Sequence, residues 1–185
     1  MNIFAKILSA FGIMPSKKQY EEWAETCGFF CTYIETRYPG HPVPVPPGDE
    51  RTFYQACGFC LQMDSDGMTS FLEQPAAVRQ EMERSLQQLG LDKLIALAAQ
   101  AADALRQSGL TLGRKSNHSR ISALMRPFAE KYYDELRDRA YARLYKFLSA
   151  CQSFLPYALN LARMERDSGN PFDPKEWSAE KMAAL

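Results

Sequence analysis

Phe128, Tyr132, Leu136, Ala140, Leu144, Phe147 and Cys151 step along the chain by threes and fours, which places them down one side of an α-helix. The same spacing recurs in Tyr20, Trp23, Cys27, Phe30 or Cys31 and Ile34, and again in Phe53, Cys57, Cys60 and Leu61. No segment alternates with period two for long enough to make a strand. A chain of 185 residues, 46% of them hydrophobic, can bury one sizeable core. The expectation is an all-α, single-domain, multi-helix bundle over residues 1–185, with about seven to nine helices.

Local signals punctuate that bundle. Ile3, Phe4, Ile7, Leu8 and Phe11 form an amphipathic stripe within residues 1–15, expected to dock on the body of the protein. Lys6 interrupts this apolar run and no small-residue cleavage site follows, so it does not read as a secretory leader. Ser16 with Gln19 forms a capping-box pattern that opens a helix running to about Tyr38. Five prolines within Pro39–Pro47 then forbid helix and sheet interior, so residues 39–48 are expected to run as an extended connector packed over the core. Asp49 or Glu50 opens the next helix, which ends near Asp64–Gly67. A short helix over Met68–Glu73 follows, then one with Pro75 at its first position and Gly90 as its stop, then one from Asp92 to Gly109. "LTLGRKSNHSR" reads as polar loop, and from Ile121 the chain reads as long helix, broken or kinked at Pro127 and Pro156. The helical core spans 49–168, and Asp173, Pro174 and Trp177 mark a tail helix within 169–185.

Lys+Arg and Asp+Glu both number 22, so the total charge demands neither a polyanionic nor a polycationic partner. Residues 1–112 carry 9 basic and 13 acidic groups (net −4), and 113–185 carry 13 basic and 9 acidic (net +4). There is no run of 18 apolar residues to span a membrane. Five cysteines, an odd number, fit thiols kept reduced in a cytoplasm.

Cys57-Gly58-Phe59-Cys60 lies in the body of a helix with no strand before it, which is not the setting of a thioredoxin-like dithiol. Cys27, Cys31, Cys57 and Cys60 together match the stoichiometry of a tetrahedral zinc site. They are embedded among Phe29, Phe30, Phe53 and Phe59, however, where cysteine behaves as a small hydrophobe. No metal and no cofactor is expected. "DSDG" at 64–67 is too short for a calcium loop, whose closing Glu would fall at Pro75. His41 and His118 lie in expected loops without catalytic partners. Arg114, Lys115, His118, Arg120 and Arg126 make one basic cluster, read as a solvated loop because no aromatic residues interleave it.

"SDGMTSFLEQ" (65–74), "MERSLQQLGLDKLIALAAQAADAL" and "PFAEKYYDELRDRAYARLYKFL" together resemble a family of small all-helical bacterial proteins of the DNA-mimic type, over roughly residues 50–150. The resemblance aligns Gly67 with a turn glycine, Met68 with an aromatic position after it, Phe71 and Leu72 with an aromatic pair and Gln74 with a terminal amide. Leu86, Leu89 and Gly90 match a helix end, and Tyr132 and Tyr133 a tyrosine pair. It implies an all-α fold and candidate binding positions at Gly67, Met68, Phe71, Gln74, Tyr132 and Tyr133, to which the acids clustered around the same turn, Asp64, Asp66 and Glu73, are added as the expected contacts of a protein partner.

Mimicry of DNA needs a surplus of carboxylates, and this chain has none. The expectation is therefore a non-enzymatic bacterial protein that binds or regulates another protein, with nucleic acid not the partner. The alternative is a small helical enzyme or metal protein using the four-cysteine cluster or the Asp64/Asp66 turn.

Overall fold

The computed structural model describes residues 16–40 and 43–151. The expectations for the stripe at 1–15, for His41, for Pro156 and for the tail helix lie outside those residues. Among the described residues every regular element is helical and no strand occurs.

Helix α1 spans Lys17–Arg37. The Ser16 hydroxyl accepts the Gln19 N–H at 3.2 Å, satisfying one of the unpaired donors of the first turn. Its buried face is Cys27, Phe30, Cys31 and Ile34, and it stops at Tyr38 because a residue before proline is pushed out of helical geometry. Residues 43–48 then carry neither helix nor strand. Val45 is seated in the core at 4% exposure, so the connector is held down by a side chain of its own. The ends it joins are tied together: Arg37 Nη1 donates to Glu50 Oε1 at 2.7 Å and the Tyr38 hydroxyl to Oε2 at 2.9 Å.

Helix α2, Asp49–Ser65, places Asp49 and Glu50 in its first turn, where carboxylates suit the positive end of the helix dipole. It buries Phe53, Ala56, Cys57, Phe59, Cys60 and Met63, more of its circumference than one stripe. The physical reason is its central place, packed against α1 and against helices introduced below. Phe53 meets Phe30 edge-on at 5.4 Å, and Phe59 meets Phe71 at 4.9 Å.

Helices α3 (Met68–Glu73), α4 (Ala76–Gln88) and α5 (Asp92–Ser108) follow. Pro75 caps α4 from just outside rather than occupying its first turn. Gly109, with φ 67°, closes α5 in the left-handed conformation expected of a stop glycine.

The segment read as loop before Ile121 is partly helical. A 3-10 turn covers Lys115–Asn117 and α6 begins at His118, running to Lys131. The Asn117 side chain donates to the Thr111 carbonyl at 3.1 Å, a closure that lets the helix start three residues early. Pro127 does not end α6, because Ile121 and Met125 before it and Tyr132 and Leu136 after it are all buried. The irregularity comes later, as a π turn over Tyr132–Leu136 that leads into α7, Arg137–Ala150. Helix α7 packs on α1 and α2, α4 lies on the other side of α2, and α5 bridges α4 and α6. The buried residues form one hydrophobic cluster. Among the described residues no helix is long and apolar enough to cross a membrane.

Candidate functional site

Helix α2 ends at a sharp turn. The N–H groups of Asp66 and Gly67 both donate to the Gln62 carbonyl at 2.9 Å, and Gly67 takes φ 71°, ψ −167°, a conformation open to glycine and strained for residues with a Cβ. That reversal sends α3 back across the core, where Met68, Phe71 and Leu72 are buried and Glu73 is exposed.

The carboxyl end of α2 is gripped by side chains from the π turn and α7. Arg137 Nε lies 3.0 Å from Asp64 Oδ1 and its Nη2 3.1 Å from Oδ2. The Tyr141 hydroxyl donates to the same carboxylate at 2.9 Å. Tyr133 donates to the carbonyls of Met63 and Asp64 at 3.3 and 3.1 Å, and Tyr132 to that of Cys60 at 3.3 Å. The last carbonyls of a helix lack internal partners and sit at its negative end, so hydroxyl donors and a guanidinium satisfy both requirements. Burial works to lower the Arg137 value, and the hydrogen bond and charge of Asp64 more than offset it, leaving it raised. Burial pushes the Tyr132 and Tyr141 phenols far above their ordinary range.

The site residues expected from the sequence therefore divide. Asp64, Tyr132 and Tyr133 are engaged with one another's elements, Met68 and Phe71 are core, and Gln74 caps α3 with its N–H on the Phe71 carbonyl at 3.1 Å. Asp66 and Glu73 remain displayed. They line a cleft of about 760 Å³ with Thr69 and Ser70, and the opposite wall is Gly113, Arg114, Lys115, His118, Ile121 and Ser122. Two segments that sequence reasoning kept apart, the acidic turn and the basic loop, thus share one cleft. Among the described residues Glu73, Arg114, Lys115 and His118 form no ion pair or side-chain hydrogen bond, and Asp66 accepts only from the neighbouring Ser65 hydroxyl at 3.1 Å.

The cysteines gather elsewhere. Cys27, Cys31, Cys57 and Cys60 are buried between α1 and α2, Cys151 is buried too, and none is in a disulfide. Burial, together with the neighbouring sulfurs, pushes the Cys27, Cys31 and Cys60 thiols well above the ordinary value. Cys57 yields its proton most readily, because both Cys27 and Cys31 can donate S–H to its sulfur. Among the described residues no three His, Cys, Asp or Glu side chains converge in a metal-holding arrangement.

Compared with known protein families, with curated proteins and with solved structures, the chain matches none.

Proposed function

We propose that the protein is a non-enzymatic binding protein that docks a segment of another protein in the cleft between α3 and residues 113–118. The observation that carries this reading is the set of unpaired charges of both signs facing one space: Asp66 and Glu73 on one wall, Arg114 and Lys115 on the other. Exposed charges of both signs in a concave site are free to pair with complementary groups of a partner, and such complementarity selects a partner and speeds its arrival. A peptide segment carrying an acid and a base at matching positions fits.

No hydrogen bond joins His118 to Ser70, to Ser122 or to either carboxylate among the described residues, so the cleft supports binding better than acid–base catalysis. Asp64 is taken by Arg137, and Asp+Glu and Lys+Arg both number 22, so the chain offers no surplus of carboxylates for imitation of DNA. The family resemblance adds a regulatory role in a bacterium to the proposal, and the five cysteines add a reducing cytoplasm as its setting.

The test compares affinity capture from the source cells by the wild type and by the double variant Glu73→Lys/Arg114→Glu, read by mass spectrometry. A protein captured by the wild type should fall about tenfold with the variant, while thermal melts of the two proteins coincide. Its association with the wild type should also slow as salt screens charges beyond about 10 Å at 0.1 M ionic strength. Equal capture by the folded variant overturns the reading.

A further inference from the structure

A second groove, of about 620 Å³, lies on a different part of the surface, between the first turn of α5 and α7. Its chemistry is unlike that of the cleft. The floor is apolar: Leu91, Leu94 and Leu136 are 8%, 1% and 6% exposed. The rim is cationic: Arg139, Arg143 and Lys146 stand along α7, with Lys93 opposite and Asp92 the one acid.

The three α7 cations fall at i, i+4 and i+7, so they form one row on one face. Like charges at that spacing repel each other. Among the described residues no carboxylate comes within ion-pair distance of any of the four cations. The repulsion is thus left standing at the edge of a groove whose leucine floor is largely covered. Gly90 shapes the lip: a Cβ there would sit 3.5 Å from Arg143 Nη2.

We propose that this groove docks an acidic amphipathic α-helix of a partner protein. Acids at i, i+4 and i+7 of a helix lying along α7 have the same pitch as the cation row, about 10 Å over two turns. The apolar stripe of that helix would rest on Tyr20, on the aliphatic stems of the cation row and on the edges of Leu91 and Leu136 left open between them, and Ala142, the smallest side chain α7 offers to the groove, permits the close approach that helix pairs adopt. Nucleic acid fits less well, because leucines offer phosphates nothing. The one aromatic ring in the lining, Tyr20, stands edge-on to Trp23 at 5.4 Å and provides no row of stacking platforms.

The proposal is independent of the cleft and is tested on the full chain. The probe is a fluorescein-labelled peptide of about 18 residues, roughly five helical turns, with a leucine stripe flanked by glutamates. The controls are a scrambled peptide of the same composition and a labelled single-stranded oligonucleotide. By fluorescence anisotropy the patterned peptide should bind about tenfold more tightly than the scrambled one. Arg139→Glu/Arg143→Glu/Lys146→Glu should weaken it by about tenfold or more, and Glu73→Lys/Arg114→Glu should leave it unchanged. Should the triple variant fail to fold, Arg143→Glu alone carries the comparison. Absence of binding by the patterned peptide, equal binding of the scrambled one, tighter binding of the oligonucleotide, or indifference to the folded charge reversal each overturns the proposal.

Discussion

Arg137 holds Asp64 with two nitrogens across 73 residues of sequence, and Tyr141 adds its hydroxyl to the same carboxylate. The two side chains are about equally sheltered, at 23% and 22% exposure. The contact joins the end of α2 to the start of α7, and so fixes the turn from which α3 departs.

Removing either partner leaves a sheltered charge without its counterpart. Arg137→Ala and Asp64→Ala should each lower the unfolding free energy by about 1–3 kcal/mol in urea titrations. The double variant should lose clearly less than the two losses added together. Strict additivity would show that the pair does not act as a unit.

Gly67→Ala places a Cβ on a residue with φ 71°. No atom lies within 4 Å of that Cβ, so the cost comes from backbone strain alone, about 1–3 kcal/mol for a conformation with ψ −167° that is essentially reserved for glycine. Gly28→Ala, inside α1 and with room for the Cβ, should be neutral or stabilising in thermal melts of the two variants; equal losses at the two positions would remove the conformational explanation.

Alkaline pH should destabilise the fold. Cys27, Cys31, Cys60, Tyr132 and Tyr141 all hold their protons to higher pH in the native state than in the unfolded chain. Their contribution is complete below the ordinary thiol value of about 8.5 and is lost above it, by about 1.4 kcal/mol per pH unit for each group the unfolded chain has ionised. The phenols join above about pH 10. Cys57 has the opposite sign, adding stability on the way up to the ordinary thiol value and nothing beyond it. Urea midpoints that stay flat from pH 8 to pH 10.5 would contradict this account.

Thiol chemistry checks the same cluster by another route. Each of the five cysteines is at most 5% exposed, so a disulfide-exchange reagent should react slowly with native protein and promptly with all five thiols in guanidinium. Rapid native reaction of Cys57 would show that the α1–α2 seam opens.

The helices and the core were largely written in residue spacing. Ser16, Pro39 and Gly109 each act through the backbone of their own neighbourhood, so the ends of α1 and α5 can be read from a few adjacent residues. The early start of α6 depends on Asn117 reaching back to Thr111, a bond that periodicity does not encode. The site was legible only in part for a similar reason. Asp64 and Asp66 look alike in sequence, and nothing local reveals that a distant arginine takes one and leaves the other displayed. Nor does the acidic turn announce that Arg114 and Lys115 will face it, since only the packing of α3 against α6 brings the two segments together.

The π turn at Tyr132–Leu136 acts as a phase adjuster. A regular helix advances about 100° per residue, so the wide turn sets the azimuth of everything beyond it. Tyr132 and Tyr133 on its near side and Arg137 and Tyr141 on its far side all aim at the end of α2, while Arg139, Arg143 and Lys146 border the groove. Adding one more residue here, as in an alanine inserted after Asp134, would swing α7 by about that angle, carrying both sets off target at once. Circular dichroism melts should therefore show a folding defect for the insertion and little change for Asp134→Ala: at this point the chain depends on how many residues it has more than on which they are.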